Sequence, residues 1–346
     1  MKTIPFFHRS MESPETDDIT ITTLVTPNRY EILRKLAEQY DVTVHITFPS
    51  PSAKSDLAAL LSLLSSSPAL ATRADIHLVL SPFPRAFNAW RNLARLAART
   101  EYVLTLDADF AVCTDWRKPV RAMVQDEKST LGKLVREGEA ALVLPAFEYT
   151  REREGKDQTL FPRDKGPLLE LVRTGRIAPF HAAWAPGHNS TDYKRFTAAQ
   201  AGEIYKVTTY QSAYEPYVIV RKDAGGWCDE RFTGYGGNKA ACLFEMYLSG
   251  VSFYVLGDHF LIHQSHAYEE EARKSERKYN RRIYADFKEE TCLRYIHRLR
   301  EERALKTARA QNALHECAKI KSISKLVTQV RPLPLLVSHY PLIPSR

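Results

Sequence analysis

The stretch Tyr102-Val-Leu-Thr-Leu-Asp-Ala-Asp-Phe110 decides the fold that this chain is expected to adopt. Its first five residues are typical of a buried strand, and the carboxylates of Asp107 and Asp109 follow directly where that strand should end. In open α/β sheets, ligands bind outside the carboxyl ends of the strands. Burying two carboxylates is costly without a partner, and a divalent cation is a natural one. The stretch therefore predicts a strand that ends at a metal site.

His263 is a candidate for a third ligand, because it follows the apolar Phe260-Leu-Ile and an imidazole can complete a Mn²⁺ shell. Mn²⁺ or Mg²⁺ at this place would stabilise the charge of a leaving nucleoside diphosphate. Simpler interpretations stay open for both features. The two aspartates could cap a turn, and a histidine after an apolar run is usually an ordinary, partly buried side chain.

Strand and helix patterns alternate around this stretch. The predicted strands cover residues 19–25, 42–48, 76–80, 101–106 and 140–145, and the predicted helices cover residues 30–39, 57–64, 87–100 and 120–137. This alternation predicts an α/β fold, with a mostly parallel sheet and helices on both of its faces. Further along the chain, strands are expected at residues 218–221 and 252–256, and helices over residues 269–313.

The composition is that of an ordinary globular protein, with 44% hydrophobic and 26% charged residues among 346. The net charge of +8 is compatible with binding to nucleic acid, to an anionic membrane surface or to an anionic substrate. It is equally compatible with a basic surface that contacts only solvent. The basic C-terminal helices carry no nucleic-acid-binding motif, which argues against nucleic acid. No apolar run reaches the ~20 residues that span a bilayer, so no membrane segment or signal peptide is expected.

Five cysteines occur, and none forms a Cys-x-x-Cys pair, which argues against a zinc site. The odd number leaves at least one thiol free within a monomer, while one or two bridges stay open if the chain is lumenal. The sequon Asn189-Ser-Thr would also be used only in a lumenal protein.

The segment Phe232-Thr-Gly-Tyr-Gly-Gly-Asn-Lys239 combines three glycines with aromatic rings. Glycine lets a backbone approach a ligand closely, and aromatic faces pack on sugar rings while polar groups bind the hydroxyls. The segment favours a sugar-binding loop, although a plain turn between strands would have a similar composition.

Together these residues resemble glycosyltransferase family 49, in segments that run in the family's order over about residues 20–298. The matching segments are Arg91-Asn-Leu-Ala94, residues 102–110, Ala141-Leu-Val-Leu-Pro-Ala-Phe-Glu148, His181-Ala-Ala-Trp184 with Gly187-His188, Tyr214-Glu-Pro-Tyr-Val-Ile-Val-Arg221, residues 229–239 and Leu261-Ile-His-Gln-Ser-His266. The joint match is far more specific than any one motif. The resemblance implies a GT-A-type fold, with a mostly parallel Rossmann-like sheet, flanking helices and a loop-rich acceptor half.

The resemblance also implies an inverting glycosyltransferase, with a UDP-sugar donor, a glycan acceptor and Mn²⁺ or Mg²⁺. The implied metal ligands are Asp107, Asp109 and His263. The residues expected at the nucleotide sugar are Arg91, Asn92, Asp107 and Asp109, and those expected at the acceptor are Tyr235, Gly236, Asn238 and Lys239. Without the resemblance, Arg91 and Asn92 would be interpreted as a polar helix face.

Characterised members of the family use UDP-glucuronic acid, whose carboxylate a basic pocket would suit. Arg221 and Lys239 are the candidate cations, although either could be an ordinary surface charge. Gly237 stands where the family pattern has tryptophan, so the acceptor or the linkage is expected to differ. An inverting transfer needs a base for the acceptor hydroxyl, and the candidates are Glu215 and Asp229, either of which could instead be an ion-pair partner.

The expected organisation is a flexible leader (1–18), a single GT-A catalytic domain (19–315) and a tail (316–346). Inside the domain, residues 19–150 are expected to form the nucleotide-sugar half, 151–268 the acceptor and metal half, and 269–315 the C-terminal helices. Family members are anchored in the Golgi, which implies the Golgi lumen, whereas the missing anchor leaves a cytoplasmic location open.

Two other functions stay open. Another nucleotide-sugar-dependent or nucleotidyl enzyme could share the strand and the aspartate pair, and a degenerate relative could bind carbohydrate without catalysis. The three candidate metal ligands argue against the second of these, because a protein that only binds has no need of a metal for a leaving group.

Overall fold

The computed structural model describes residues 2–39, 43–50, 54–80, 85–266 and 270–330. The strands are β1 (Lys2–His8), β2 (Ile19–Leu24), β3 (Thr43–Ser50), β4 (Ala74–Leu80), β5 (Tyr102–Thr105), β6 (Phe110–Val112), β7 (Ala140–Leu144), β8 (Ala146–Tyr149), β9 (Ile177–Pro179), β10 (Ile204–Lys206), β11 (Tyr217–Arg221), β12 (Ser252–Leu256) and β13 (Leu261–His263). The helices are α1 (Tyr30–Gln39), α2 (Lys54–Ser66), α3 (Pro68–Arg73), α4 (Phe87–Ala97), α5 (Arg117–Gln125), α6 (Thr130–Arg136), α7 (Lys165–Arg173), α8 (Ala185–His188), α9 (Tyr193–Ala198), α10 (Asn238–Leu248), α11 (Glu270–Glu301), α12 (Gln311–Cys317) and α13 (Ser324–Val330).

Nine strands form one large sheet in the order β1-β4-β3-β2-β5-β11-β7-β12-β10. The neighbours β4, β3, β2 and β5 are parallel, as are β7 and β12. β11 is antiparallel to both β5 and β7, and the two edge strands β1 and β10 are also antiparallel to their neighbours. The predicted α/β class is confirmed, but the sheet is mixed rather than mostly parallel.

A smaller sheet of four strands has the order β6-β13-β8-β9. β5 belongs to the large sheet and β6 to the small one, so Asp107-Ala-Asp109 is the connection between the two sheets. Strands β5 and β7 are buried over nearly their whole length, which explains their continuous apolar sequence. The fold thus positions the predicted metal-binding residues between two buried sheets.

The prediction of a flexible leader over residues 1–18 is wrong for the described residues. β1 pairs with β4, and the N–H of Phe6 donates to Nδ1 of His77 at 2.9 Å. Asp18 is 2% exposed, and its carboxylate forms an ion pair with Arg117. Lys2–His8 has no regular alternation of polar and apolar residues, and it is a strand because it pairs with β4.

The predicted helix over residues 120–137 is two helices, α5 and α6. Ser129 begins the second one, because its Oγ accepts the N–H of Gly132 at 2.9 Å, which is the standard role of a serine N-cap. A Cβ on Gly132 would lie 2.1 Å from the carbonyl oxygen of Met123, so only glycine allows this close approach of the two helices.

The predicted tail begins too early, because residues up to 330 are folded. Cys317 of α12 forms a disulfide with Cys292 of α11, and α13 follows it. A second disulfide joins Cys228 to Cys242, which leaves Cys113 as the free, buried thiol. Both bridges that the sequence left open are therefore present. Residues 331–346 of the predicted tail and Val42 of a predicted strand lie outside the described residues.

Within the described ranges, we find no helix that combines the length and the apolar character needed to cross a bilayer.

Replacing Asp18 by alanine is expected to lower the free energy of unfolding by about 2–3 kcal/mol, because Arg117 loses its main carboxylate partner in a largely buried place. Burial works to raise the pKa of Asp18, but the bonds and charge of Arg117 outweigh it and hold the pKa below its ordinary value. A carboxyl whose pKa is lowered by folding stabilises the protein at neutral pH and loses that effect as the pH falls through the folded-state value.

Urea unfolding of Asp18→Ala and of the unmodified chain should therefore differ at pH 7, and the difference should shrink as the pH falls below about 4 towards the lowered folded-state pKa of Asp18. Asp115→Ala is the matched control, because Asp115 is 66% exposed and lies 3.9 Å from Lys118. Its effect should stay within about 0.5 kcal/mol. Equal losses for the two variants would contradict the assigned role of Asp18.

Candidate functional site

Asp107 follows β5, the middle strand of the large sheet, and three side chains hold its carboxylate. The hydroxyl of Tyr217 donates to Oδ2 at 2.8 Å, and Nζ of Lys239 lies 3.2 Å from the same oxygen. Nη2 of Arg91 lies 3.4 Å from Oδ1. Burial works to raise the pKa of Asp107, but Lys239 and Arg91 outweigh it and hold the pKa below its ordinary value. Asp107 is therefore an ionised carboxylate between two cations.

Asp109 contacts two imidazoles instead. Its Oδ2 lies 2.9 Å from Nε2 of His266 and 3.6 Å from Nε2 of His263. One ligand atom from each of these three residues lies within 4.8 Å of the others, so the group could hold a metal ion. Burial works to raise the pKa of Asp109, but the two histidines lower it far below its ordinary value. A carboxylate oxygen with two imidazole nitrogens is a donor set that suits Mn²⁺.

Strand pairing brings these groups together across more than 150 residues of sequence. β13 is antiparallel to β6, with His263 opposite Phe110, and parallel to β8, with His263 opposite Glu148. The N–H of Gln264 donates to the carbonyl of Asp109 at 2.7 Å. The ring of Phe110 packs 4.4 Å from Tyr217 and 5.2 Å from His263, measured between ring centroids. The small sheet thus fixes both histidines beside Asp109.

Of the predicted metal ligands, the structure groups Asp109 with His263 and adds His266. Sequence reasoning quoted His266 in a motif but did not propose it as a ligand. The spacing His263-Gln-Ser-His266, directly after a short apolar strand, was the signal that could have found it. The carboxylate of Asp107 faces cations in this arrangement, so its role as a metal ligand stays a prediction.

Arg91 lies at the site and links three elements. Its Nη1 donates to Oδ1 of Asn238 at 2.6 Å and to Oδ1 of Asn88 at 3.0 Å, while Nη2 faces Asp107. Within the described part of the chain, its buried Nε has no hydrogen-bond partner. A buried N–H without a partner is costly, so this atom is an unsatisfied donor in the wall of the site.

Asn92, the other residue expected at the donor, does not reach the two aspartates. Its amide exchanges hydrogen bonds with the backbone of Cys228, at 2.9 Å in both directions, and also donates to Glu230. Arg91 and Asn92 are adjacent on a helix, and adjacent helical residues point about 100° apart. From α4, Asn92 therefore holds the loop that precedes the glycine-rich segment.

The glycine-rich segment ends at the start of α10. Gly234, Gly236 and Gly237 all have positive φ, and Gly237 is the N-cap of α10 at φ +70°. A Cβ at Gly237 would lie 3.4 Å from the ring of Tyr284 in α11. Tryptophan at this position would need a strained backbone, and its Cβ would already contact that ring. The glycine is therefore matched to its surroundings in this chain.

The four residues expected at the acceptor divide into two groups. Asn238 and Lys239 are 7% exposed and bond to Arg91 and Asp107, so they belong to the interior wall of the site. Tyr235 lies further out, with Arg273 4.1 Å from its ring centroid. Gly236 packs against α11, where an added Cβ would lie 3.1 Å from Cα of Arg277.

Glu215 lies near this wall, directly before the Pro216–Tyr217 step that leads into β11. Its Oε1 accepts the N–H of Ala240 at 3.3 Å. Burial raises the pKa of Glu215, although Lys239 and Arg91 oppose the rise. A carboxyl with a raised pKa next to cations and Asp107 has the environment of a proton acceptor.

The structure separates Asp229 and Arg221 from these groups. The carboxylate of Asp229 is bound by Arg231 at 2.7 Å, and although burial works to raise its pKa, Arg231 holds it below its ordinary value. Arg221 pairs with Asp223 and donates to the carbonyl of Arg136. It sits at the opposite end of β11 from Tyr217, about 13 Å away at ~3.4 Å per residue. The prediction that Arg221 binds the carboxylate of a ligand at Asp107 is therefore wrong.

Glu148 is a further carboxyl at the site, which sequence reasoning quoted only as part of a motif. Its Oε1 accepts the N–H of His181 at 2.9 Å, and burial raises its pKa. The ring of His181 stacks on Phe180 with centroids 3.8 Å apart, and burial lowers the pKa of His181 to about 4. His181 is thus a neutral imidazole on the rim of the candidate site.

Comparison with known proteins supports the sequence-based resemblance. A family model described as "Glycosyl-transferase for dystroglycan" matches residues 82–296. The xylosyl- and glucuronyltransferase LARGE2 of Rattus norvegicus is 33% identical over 268 residues, which cover 76% of this chain and 37% of the relative. LARGE2 of Homo sapiens is 32% identical over 268 residues, with 76% and 35% covered. The chain spans about a third of the length of these curated relatives.

Among solved structures, the crystal structure of GalNAc-T7 with UDP, GalNAc and Mn²⁺ aligns at a TM-score of 0.45 and 10% identity. The alignment covers 74% of this chain and 45% of that one.

Mn²⁺ binding should distinguish the roles of the two histidines from that of a surface histidine. His263→Ala and His266→Ala are each expected to weaken Mn²⁺ binding by about tenfold or more, since even the hydrogen-bond partners of metal ligands have effects of that size. Titration of free Mn²⁺ by electron paramagnetic resonance gives the affinity. His297→Ala, at a 72% exposed position on α11, is the matched control and should bind like the parent chain. Unchanged binding in His266→Ala would exclude His266 as a ligand.

Proposed function

The chain belongs to the glycosyltransferase family described as "Glycosyl-transferase for dystroglycan", and from that membership we propose that it is an inverting GT-A glycosyltransferase that transfers a sugar from a UDP donor to a glycan acceptor. The observation that carries the proposal is the convergence of Asp109, His263 and His266 next to Asp107, where β5 ends. A protein that only bound carbohydrate would have no use for this costly arrangement.

The residues that would hold a divalent cation are Asp109, His263 and His266, with Asp107 as the predicted fourth. Their oxygen and nitrogen donors fit Mn²⁺, and Mg²⁺ less well because it prefers oxygen ligands. When bound, such a cation supplies Lewis-acid stabilisation of the negative charge on the leaving diphosphate. Phe110 and the pairing of β6 with β13 keep the three side chains in place before the cation arrives.

Arg91 and Lys239 would bind the donor. Their side chains are 10% and 9% exposed, and both face the carboxylate of Asp107, with the Glu215 carboxyl nearby. Fixed cations of this kind can bind the carboxylate of a donor sugar as well as a diphosphate. The relatives' names include glucuronyl transfer, which favours a donor sugar that carries a carboxylate. We therefore propose UDP-glucuronic acid as the donor.

A xylosyl donor is the second candidate, because the same relatives are named as xylosyltransferases too. Xylose has no carboxylate, so with this donor Arg91 and Lys239 would bind the diphosphate alone. The two donors can be separated by measuring which one the protein binds.

Glu215 is the base that we favour over Asp229. The acceptor hydroxyl gives its proton to the Glu215 carboxylate as its oxygen attacks C1 of the donor sugar, and the bond from C1 to the UDP oxygen breaks with its electron pair leaving on UDP. Asp229 is occupied by Arg231 and has a lowered pKa, so it is a weaker proton acceptor. Glu148, which also has a raised pKa, is the alternative if Glu215 only supports the start of α10.

Donor binding can be tested by the thermal unfolding of the whole chain with UDP-glucuronic acid, UDP-xylose and UDP-glucose, with Mn²⁺ and with EDTA. A ligand that binds the native state raises the unfolding temperature by mass action. We expect the largest rise with UDP-glucuronic acid, and only with Mn²⁺ present. Asp109→Ala should show no such rise. Its unfolding temperature without ligand should stay within a few degrees of that of the parent chain. Equal protection in EDTA would contradict the metal-dependent site.

The base can be tested by transfer kinetics once an acceptor is identified. Glu215→Gln keeps the shape of the side chain and removes its basicity, so kcat should fall by roughly 10²–10⁴-fold with a small change in the donor KM. Glu302→Gln, in an exposed ion pair with Arg298, is the matched control. A fall in kcat for Glu148→Gln alone, with Glu215→Gln close to the parent, would transfer the role to Glu148.

A further inference from the structure

A second concave site, which we call the Trp227 pocket, lies between the turn at residues 225–227, helix α10 and helix α11. Its volume is about 420 Å³, within the range of roughly 300–1,000 Å³ that is common for small-molecule sites. It is lined by Gly225, Gly226, Trp227, Asp229, Glu245, Arg294, Tyr295 and Arg298. None of these residues contacts Asp107, Asp109 or the two histidines beside them in the described structure.

Trp227 supplies an aromatic surface whose position is fixed from behind. Its ring lies over the guanidinium of Arg95, 4.8 Å from Cζ to the ring centroid, yet the residue remains 47% exposed. Arg95 is itself buried and donates to the carbonyls of Lys222, Ala224 and Gly226. A single exposed tryptophan would be unremarkable. This one is held on a rigid support beside a pocket, as in sites that pack an aromatic ring against a sugar.

Two carboxylates lie within reach of the same pocket. Glu245 is 7% exposed, 3.0 Å from Nη2 of Arg294 and 3.4 Å from the hydroxyl of Tyr295. Asp229 is bound by Arg231. Asp229 already accepts three N–H groups of Arg231, from its backbone, Nε and Nη2. An ionised carboxylate can accept about four hydrogen bonds, so Glu245 keeps most of the free acceptor capacity for ligand hydroxyls and Asp229 about one site. Arg294 and Arg298 have side chains 60% and 57% exposed, and they add donors at the rim.

The charges of the pocket indicate which kind of ligand it suits. Asp229 and Glu245 balance Arg294 and Arg298, so the lining carries no net charge. Each of the four also has an opposite charge within 3.0 Å. An anionic ligand would have to compete with these pairs, whereas hydroxyl groups can bond to paired ions at little cost. The lining therefore suits an uncharged molecule with many hydroxyls.

The backbone of the pocket is rigid and closely packed. The disulfide Cys228–Cys242 ties the turn of Trp227 to helix α10, which carries Glu245. A Cβ on Gly226 would lie 2.4 Å from the carboxylate of Glu245, and Gly225 has φ +71°. Only glycines bring the aromatic ring and the carboxylate so close together. A preorganised site of this kind loses little conformational entropy when it binds.

We propose that the Trp227 pocket is a second carbohydrate-binding site, which holds one uncharged sugar unit of a glycan with its ring against Trp227 and its hydroxyls on Glu245, Asp229 and the rim arginines. The site is separate from the Asp107 and Asp109 centre. It binds without any transfer step, and its occupancy does not depend on the donor or the metal.

The test uses xylotetraose as the probe, with the full chain and no nucleotide sugar present. Saturation-transfer NMR should detect contact with the probe, and tryptophan fluorescence should give a saturable dissociation constant. Trp227→Ala should weaken binding roughly fivefold to tenfold, as expected for the loss of one stacked ring. Arg298→Ala is the second variant, because it removes an exposed rim donor and leaves the ring and its support intact.

Leu160→Ala, at a 75% exposed position outside the pocket, is the matched surface control and should bind like the parent chain. Asp109→Ala should retain the binding, which separates this site from the proposed catalytic centre. No saturable binding to the parent chain, or unchanged binding in both Trp227→Ala and Arg298→Ala, would overturn the proposal. Asp109→Ala could still bind xylotetraose while UDP-sugars fail to raise the unfolding temperature of the parent chain. That result would support the second site and count only against the proposed transferase activity.

Discussion

The contact of the Asp107 carboxylate with two buried cations is the interaction on which the rest of this structure depends. The side chains of Arg91 and Lys239 are only 10% and 9% exposed, so each needs a carboxylate partner, and Asp107 provides it. The partners of Asp107 come from three separate elements: Arg91 from α4, Tyr217 from β11 and Lys239 from α10. Each partner is then held in turn, as Arg91 is by Asn88 and Asn238. The carboxylate therefore brings these three elements together at the carboxyl end of β5.

The small sheet has a complementary role at Asp109. β13 returns from the C-terminal half of the chain to pair with β6 and β8, and this pairing delivers His263 and His266 to the second aspartate. Two residues apart in sequence, the aspartates therefore have different neighbours, cations at the first and imidazoles at the second. In the proposed transferase, the cations at the first carboxylate would bind the donor, and the imidazoles at the second could hold the metal.

Much of this could be predicted from the sequence where the signal was local. The strand that ends at Asp107, the α/β alternation and the resemblance to a glycosyltransferase family rest on contiguous residues, and all three are confirmed. What failed was non-local. The pairing of Lys2–His8 with β4 depends on a strand more than 70 residues away, and the antiparallel insertion of β11 between β5 and β7 has no sequence pattern of its own.

The residues of the site show the same difference between local signals and non-local contacts. His263 was identifiable because it follows an apolar strand. The position of Arg221 depends instead on which end of β11 points to the site, and that is set by the antiparallel pairing of β11 with β5. Asn92 was assigned to the donor with Arg91 because the family resemblance covers both residues, although a helix turns neighbours in different directions.

Cys113 gives the molecule a practical property. It is the single unbridged cysteine of the five, it is 2% exposed, and burial raises its pKa to about 12. Alkylating reagents attack thiolates, so this sulfur should stay silent in the folded protein. A cysteine introduced at any exposed position would then be the one reactive thiol on the surface. Fluorophores or spin labels could be attached there without removing a native residue, provided that no reductant opens the two bridges.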